Sequence, residues 1–418
     1  MADQRNIVIV GGSIAGLNST HYILRHILPS LKAKHSVKYH VYLINSSSDW
    51  FFRIASPRIA ASTDRMPVEK ALFNIPEAFK QYSTNDFTFI EATVTSLDPS
   101  ARTVTFKNPA ASDDEHLPYH AIIIATGSHT HDPVFSMTST TDVLLSAIRT
   151  RNEKVASAKD IVIAGGGPTA VEYAAEIAEH LNGKPGWFSD APRKVNITLI
   201  TAGSQLLPVL RPAIAKIAEQ KLKRLGVDVV YETRVEETSI SAEGRTTIRL
   251  SKGQTLEADL FVPAYGVVPN SSFLPSSLLN EAGYLKTNKQ TLRVDAAGPR
   301  VYALGDVGDY SRNSGPDIAD ALPALMINLK RDLLSYDPAK PDKKPEGKDR
   351  IYTPNLKETQ FVPIGTGGGV GAMFGWKAPG WLVWLFKGRD MMVGFAGPLV
   401  TGDRLKKEFQ WKGDEVVA

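Results

Sequence analysis

Two glycine-rich segments carry the residue types that bind phosphate groups. The first comprises Gly11, Gly12, Ser13, Ile14, Ala15 and Gly16, and the second comprises Gly165, Gly166, Gly167, Pro168, Thr169 and Ala170. Glycines at such a turn let backbone N–H groups approach a pyrophosphate, and the dipole of the following helix favours negative charge. Two such turns about 150 residues apart predict two nucleotide sites, because domains usually span ~100–200 residues. The alternative for either turn alone is an ordinary strand–turn–helix junction.

The elements that would position these turns follow from the apolar pattern. Residues 7–10 and 161–164 are short runs of mostly β-branched residues, typical of parallel strands buried on both faces. A third such run, 121–124, ends in small residues that would let the chain pass close beneath a bound cofactor: Ala125, Thr126 and Gly127. Helical spacing predicts helices over 14–27, stopping at Pro29, and over 68–80.

Further polar side chains stand at predicted strand ends. Asn45 follows strand 39–44, where dinucleotide-binding folds place an acid for the ribose, and its amide lacks the charge-assisted strength of a carboxylate. Asp306 follows another strand and can reach a chain of hydroxyl groups; the alternative is a turn aspartate. Arg53 lies in an aromatic and basic stretch that suits a lining beside a cofactor, or else a packed loop with a surface arginine. Thr201 ends strand 195–200 without an acid or an adjacent arginine, so the choice between NADH and NADPH stays open.

Composition restricts the chemistry further. The 418 residues predict two or three domains, and the net charge of +4 is too small to favour nucleic acid as a partner. The chain has no cysteine, which excludes disulfides, thiolate metal sites and a redox-active cysteine pair and fits a reducing compartment. No signal or transit peptide and no transmembrane run are recognisable. We therefore expect a cytoplasmic protein without a metal centre.

The C-terminal part of the chain differs in composition from the rest. Residues 336–350 have the composition of a solvated linker, and residues 365–371 are glycine-rich and either flexible or part of a hairpin. Residues 376–386 contain three tryptophans with basic residues nearby, a mixture that suits a membrane interface. The alternatives are a tail packed on the body of the protein or in a homodimer, because large aromatic residues are usually buried.

Taken in order, these motifs resemble the two-dinucleotide-binding-domain flavoproteins, also called the pyridine nucleotide-disulfide oxidoreductase family. Within it the chain is most similar to the apoptosis-inducing-factor-like, ferroptosis-suppressor type of NAD(P)H:quinone oxidoreductase. The resemblance covers about residues 5–335 well and the tail more loosely. The stretches that carry it are Val10 to Gly16, Ile122 to Gly127, Ile163 to Glu172, Asn270 to Ser272 and Val301 to Asp306.

The resemblance implies an α/β fold with two Rossmann-like domains, the second inserted in the first, and a C-terminal α+β tail domain. FAD would occupy residues 1–130 with 265–335, NAD(P)H would occupy 131–264, and the tail domain would be 350–418. Residues 11–16 would hold the FAD pyrophosphate and Asp306 its ribityl chain or pyrophosphate end. Val94 would lie by the adenine, and Arg58 matches a family cofactor contact. Gly165 to Ala170 would hold NAD(P)H.

The catalytic residue implied by the resemblance is Glu172, near the junction of flavin and nicotinamide; its other role is a favourable interaction with the helix dipole. A hydride would pass from NAD(P)H to FAD, and electrons onward to an acceptor such as a quinone. The alternatives are a flavin-dependent oxidase or tailoring enzyme for a small metabolite, and a nucleotide-responsive redox-signalling module with little turnover. Ser13 and Asn45 depart from the family's glycine and acid, and the lysine that some quinone reductases carry after Ala-Thr-Gly is missing from residues 128–137.

Overall fold

The protein is described by a computed structural model covering residues 4–109, 111, 113–341, 343–345 and 347–415. Its strands are β1 Gln4–Val10, β2 Lys38–Asn45, β3 Asp49–Phe51, β4 Leu72–Asn74, β5 Phe87–Glu91, β6 Thr93–Asp98, β7 Thr103–Lys107, β8 Glu115–Pro118, β9 Ala121–Ile124, β10 Ser128–His129, β11 Asp160–Ala164, β12 Asn196–Ile200, β13 Val227–Val230, β14 Val235–Ile240, β15 Thr246–Leu250, β16 Thr255–Ala258, β17 Leu260–Pro263, β18 Val268–Pro269, β19 Val301–Ala303, β20 Gln360–Pro363, β21 Gly369–Met373 and β22 Trp376–Lys377. The helices are α1 Ile14–Tyr22, α2 Leu28–Lys34, α3 Ser56–Ala61, α4 Ile75–Phe79, α5 Thr141–Ser157, α6 Pro168–Leu181, α7 Pro212–Arg224, α8 Gly315–Leu334, α9 Gly380–Val383 and α10 Val393–Val400.

Two parallel sheets organise the molecule. The first has the strand order β19-β9-β1-β2-β5 and the second β13-β12-β11-β17. In each, the strand that precedes a glycine turn lies inside the sheet, with 7–10 and 161–164 almost fully buried. The first sheet draws β19 from beyond the second sheet in sequence, so the chain leaves it and later returns. The α/β fold with two Rossmann-like units is confirmed.

Three three-stranded and two two-stranded antiparallel sheets, the latter β3-β4 and β10-β18, complete the architecture of the described residues. Strands β6-β7-β8 and β14-β15-β16 accompany the first and second parallel sheets respectively. Strands β20-β21-β22 form a C-terminal hairpin sheet, so the glycine-rich stretch 365–371 belongs to a hairpin. The strand Glu115–Pro118 pairs with β7 after a polar connection.

Two predicted helices differ from the structure. The helix from Ile14 does not stop at Pro29: a π-helical turn over Ile23–Ile27 precedes α2, which continues to Lys34 and holds Pro29 in its first turn. Pro29 follows directly on the wider π-helical turn, in which the N–H of Leu28 bonds the carbonyl oxygen of Ile23; such a turn is one of the local adjustments that accommodate a proline within a continuous helix. The single helix over 68–80 is also wrong. Residues 72–74 pair with β3, and the Oδ1 of Asn74 accepts the N–H of Glu77 (3.0 Å), which starts the short α4.

The C-terminal segment packs on both units. Beyond β22 it forms α9, a π-helical turn over Trp384–Gly388, and α10. The α10 end contacts α1, while β20 and β21 contact α6 and α7. Within the described residues, no helix is both long and apolar enough to cross a bilayer.

Candidate functional site

A cleft of about 1000 Å³ opens where the carboxyl ends of the two parallel sheets face each other. Most residues predicted to bind cofactors line it: Gly11, Gly12, Ser13, Ile14, Ala15, Asn45, Val94, Ala125, Thr126, Gly127, Gly167, Pro168, Thr169, Glu172 and Asp306. Arg53 lines the same cleft, together with the aromatic residues Trp50 and Phe51. Its position therefore differs from that of a surface arginine, which was the alternative interpretation. Both glycine turns therefore meet in one continuous space.

Five predicted residues are not brought to the cleft lining: Gly16, Arg58, Gly165, Gly166 and Ala170. Gly16, Gly165 and Ala170 lie beneath the glycine turns, where small residues are required: a methyl group on Gly16 would overlap the carbonyl oxygen of Gly11, and one on Gly165 would overlap that of Ala264. Arg58 is buried elsewhere, in an ion pair with Glu176. The geometry thus gives Arg58 a partner other than the predicted cofactor.

The first glycine turn is braced by Asn45. Gly11 has φ +109°, and its α-carbon lies so close to Ala125 that a methyl group would overlap the Ala125 carbonyl oxygen. The next residue, Gly12, donates its N–H to Asn45 Oδ1 at 2.7 Å, and the Asn45 amide donates to Ser47 O at 2.8 Å. The side-chain amide of Asn45, which stands where dinucleotide-binding folds place an acid, therefore stabilises the first glycine turn directly.

Ser13 also has a structural partner. It stands at the N-cap of α1, and its Oγ accepts the indole N–H of Trp50 at 3.2 Å. The Ser13 side chain therefore caps none of the first N–H groups of α1, and residues 13–15 at this helix end line the cleft. Free N–H groups at the positive end of a helix fit a pyrophosphate, so the residues present fit a dinucleotide.

Asp306 and Arg53 face each other across the same part of the cleft. Asp306 Oδ2 accepts the hydroxyl of Ser128 (3.2 Å), while Arg53 Nη1 donates to the carbonyl oxygen of Ser128 (2.9 Å). Burial raises the pKa of Asp306, and the Arg53 charge opposes that shift. A buried carboxylate with spare lone pairs suits hydroxyl donors of a ribityl chain.

The second glycine turn is built like the first. Gly165 has φ +142°, and Pro168 occupies the first turn of α6, where proline is favourable. A methyl group on Gly166 would overlap Thr201 Oγ1, and that hydroxyl accepts the N–H of Gly203 (3.2 Å). The turn after β12 is therefore closely packed and carries no charged side chain from 201 to 205.

Glu172, in the first turns of α6, has a partner that sequence reasoning missed. Lys387 Nζ lies 2.6 Å from Glu172 Oε1, and both side chains line the cleft. The side chain of Glu172 is 2% exposed and that of Lys387 13%. Burial raises the pKa of Glu172, and Lys387 acts in the opposite direction. This lysine comes from the C-terminal segment, and its position among tryptophans is the signal that the sequence offers.

Two dinucleotide-binding glycine turns that line one cleft are typical of flavoproteins that receive electrons from a nicotinamide nucleotide. The chain belongs to the pyridine nucleotide-disulphide oxidoreductase family, whose model matches residues 5–322. The absence of cysteine separates it from family members that use a disulfide.

Its relatives agree with this class. Oxidoreductase phnG of Penicillium herquei is 43% identical over 413 residues, covering 97% of this chain and 98% of the relative. Ferroptosis suppressor protein 1 of Mus musculus is 25% identical over 407 residues, covering 93% and 94%. The sulfide:quinone oxidoreductase of Aquifex aeolicus superposes with a TM-score of 0.69 at 18% identity, covering 95% of this chain and 92% of that one. The predicted resemblance to the ferroptosis-suppressor type is confirmed, and the cofactors are FAD and a nicotinamide nucleotide.

Proposed function

We propose that the protein passes a hydride from NAD(P)H to FAD and electrons onward to a quinone-type acceptor. FAD would be held by residues 1–130 with 265–335, NAD(P)H by 131–264, and the segment 350–418 would complete the site. When bound, FAD supplies the two-electron chemistry that links a hydride donor to the acceptor. The observation that carries the proposal is the buried Glu172–Lys387 pair, set where the two glycine turns share one cleft.

The pair has a defined task for each of its members. The Lys387 ammonium group supplies a positive charge in a buried wall, where it favours any negative charge that develops beside it. Glu172 balances that charge while no substrate is present, since an unpaired buried ammonium group is costly. Glu172 can also hold a proton at Oε2 when its pKa is raised, so the pair can exchange a proton as well as stabilise charge.

The test is an anaerobic titration of the purified flavoprotein with NADH and, separately, with NADPH, followed by flavin absorbance. The proposal expects rapid bleaching by at least one nucleotide, and then reoxidation by a soluble quinone faster than by oxygen. Flavin that neither nucleotide bleaches contradicts the proposal. If a nucleotide bleaches the flavin but quinone reoxidises it no faster than oxygen does, NAD(P)H is supported as the electron donor and a quinone is rejected as the acceptor.

A second candidate is a flavin-dependent oxidase or tailoring enzyme that acts on a small metabolite. One observation favours it: Asn45 and Thr201 stand where acids usually select the ribose hydroxyl groups. This candidate expects slow reduction by both nucleotides and fast reduction by an organic substrate. Reduction by NADH or NADPH at the rate of turnover decides against it.

We also propose that the C-terminal segment rests on an anionic lipid surface. Trp376 is 81% exposed and Trp381 65%, and a half-exposed apolar run, 384–386, continues the same face. Lys377 and Arg389 are exposed beside it. Aromatic rings with flanking cations suit the headgroup region of a membrane. The run 384–386 directly precedes Lys387 in the same helical turn. Its apolar side chains are exposed on the outside of the protein, while Lys387 lines the cleft. This arrangement would suit an apolar quinone that enters the cleft from the lipid. With no cysteine in the chain, a cytoplasmic membrane surface is favoured.

The lipid proposal is tested by vesicle sedimentation of the full chain. Vesicles of phosphatidylcholine with phosphatidylglycerol should retain the wild type, and pure phosphatidylcholine should retain less of it. The variant W376S/W381S should lose binding, whereas W187S/F188S, which removes an even more exposed aromatic pair from the loop after α6, should bind as the wild type does. Absence of wild-type binding contradicts the proposal. Concentration-dependent dimers that the W376S/W381S variant abolishes would instead assign the face to a second copy.

A further inference from the structure

The backbone that directly follows Lys387 is held by the side chain of Arg58. Arg58 Nη2 donates to the carbonyl oxygen of Gly388 at 2.9 Å, and Nη1 donates to that of Arg389 at 3.4 Å. Arg58 belongs to α3, in the unit that contains the first glycine turn, and its side chain is 4% exposed. A buried guanidinium group from one unit thus fixes the two residues after the lysine that reaches the cleft.

The same guanidinium group is fixed from the other side by α6. Its Nε and Nη2 donate to Glu176 Oε1 at 3.0 and 2.8 Å, and Glu176 is 1% exposed. Glu176 lies four residues after Glu172, so both carboxylates share one face of the helix. Arg58 therefore joins the helix that carries Glu172 to the turn that carries Lys387.

We infer that Arg58 and Glu176 form a brace that holds Lys387 against Glu172, which makes Arg58 a positioning residue. The inference rests on the proposed function only for its expected effect on flavin reduction; the contacts that hold Lys387 do not depend on it. A lysine side chain is a flexible four-carbon stem, and it keeps a buried contact only when its backbone is fixed. The 2.6 Å ion pair does not by itself fix the backbone of Lys387. Arg58 fixes that backbone by binding the carbonyl oxygens of the next two residues.

The brace differs from a general ion cluster because only one of two arginines reaches the C-terminal backbone. Arg65 binds the other oxygen of Glu176 (Nη2 to Oε2, 2.8 Å) and also Glu179 (3.1 Å). Glu179 in turn accepts the N–H and hydroxyl of Thr366 at 2.8 and 2.6 Å. Arg65 thus contacts the same carboxylate as Arg58, but within the described part of the chain its side chain donates to Glu176 and Glu179 and not to residues 387–389. It is a matched control.

The experiment compares R58Q, R58K and R65Q by hydrogen–deuterium exchange and by the pH dependence of flavin reduction. Exchange is measured on backbone amides of 384–392 and needs no turnover. We expect faster exchange there in R58Q and in R58K, because a lysine cannot reach Glu176 and both carbonyl groups, and wild-type exchange in R65Q. Flavin reduction should slow on the order of 10- to 100-fold in R58Q, as expected for a displaced catalytic group, with a pH profile moved in the same direction as in a K387M variant.

Several outcomes overturn the inference. Wild-type exchange over 384–392 in both Arg58 variants rejects the brace. Equal loosening in R58Q and R65Q assigns the effect to the ion cluster as a whole. Loss of FAD from R58Q with an unchanged pH profile and unchanged exchange makes Arg58 a cofactor contact instead. If K387M itself leaves flavin reduction unchanged, the proposed role of the pair fails, while the exchange data still decide on the brace.

Discussion

Glu172 and Lys387 are 215 residues apart in sequence and form a 2.6 Å ion pair inside the cleft. The carboxylate comes from the helix behind the second glycine turn and the ammonium group from the C-terminal π-helical turn. The nucleotide-binding units alone therefore lack one of the two charges of the site. The C-terminal segment is an essential part of this arrangement, because it supplies the cation that the carboxylate requires.

Replacing Lys387 by methionine should slow flavin reduction by NAD(P)H. Burial already raises the pKa of Glu172, and Lys387 holds it down, so losing the cation raises that pKa further and Glu172 stays protonated to higher pH. The slower reduction should therefore be accompanied by a pH midpoint moved upward. Stopped-flow reduction between pH 5 and 9 measures both. K377M removes an exposed lysine from β22 and should match the wild type; an equal effect of both variants would contradict a specific role for Lys387.

Replacing Asp306 by alanine should weaken FAD retention. Asp306 lines the cleft with its pKa raised by burial, and it accepts hydrogen bonds from Ser128 and Ser311 at 3.2 and 3.4 Å. Alanine removes the acceptor for cofactor hydroxyl groups, and asparagine keeps one oxygen, so D306A should lose more flavin than D306N. The flavin-to-protein absorbance ratio after gel filtration measures this. D309A, which removes the acceptor of the Thr287 N–H, serves as the control, and full occupancy in D306A would contradict the assignment.

The features predicted correctly are those set by short stretches of sequence. Apolar runs such as 7–10 and 161–164 become inner strands because burial on both faces needs only local residues. The glycine turns are equally local, since a residue such as Gly11 at φ +109° beside another strand has to lack a side chain. The predicted single helix over 68–80 is wrong because β4 pairs with β3, a contact between separate segments that overrides the helical spacing.

The roles of single side chains were harder to predict because their partners are remote. Asn45 is at a predicted binding position, yet its amide holds the N–H of Gly12. Arg58 was expected at a cofactor, yet its partners come from α6 and from residues 388 and 389. No spacing rule connects residue 58 with 176 or 388, since the first contact exists only after α3 has packed on α6 and the second only after the C-terminal segment has folded over both units.

Two glycines of the second turn should respond differently to alanine. Gly165 has φ +142° and no room for a methyl group beside Ala264, so G165A should yield little soluble protein. Gly167 has room for a methyl group and an ordinary φ of −81°, so G167A should fold with a melting temperature within about 3 °C of the wild type. Because Gly167 lines the cleft, G167A should bind NAD(P)H more weakly. Titration of nucleotide affinity checks this, and an unchanged affinity would remove Gly167 from the binding surface.

His21 should make the docking of the C-terminal segment sensitive to acid. Its Nε2 contacts the carbonyl oxygen of Val400 and its Nδ1 the hydroxyl of Tyr82, both at 2.8 Å. Arg25 Nε donates to that hydroxyl, so the Tyr82 hydrogen points to Nδ1 and His21 is the neutral tautomer with a proton on Nε2. Burial lowers the pKa of His21 from 6.5 to about 4.

This lowered pKa fixes the direction of the pH effect. The unfolded chain binds a proton at His21 below about pH 6.5 and the folded protein only near pH 4, so stability is lost as the pH falls through that window. The loss attributable to His21 is about 3 kcal/mol at most. Urea unfolding at pH 7, 5.5 and 4.5 should show a smaller acid-induced loss in H21Q than in the wild type. H26Q, which removes the neighbouring contact with Leu405 O at 2.8 Å, should retain the wild-type slope. Parallel slopes in H21Q and the wild type would show that other groups cause the acid sensitivity.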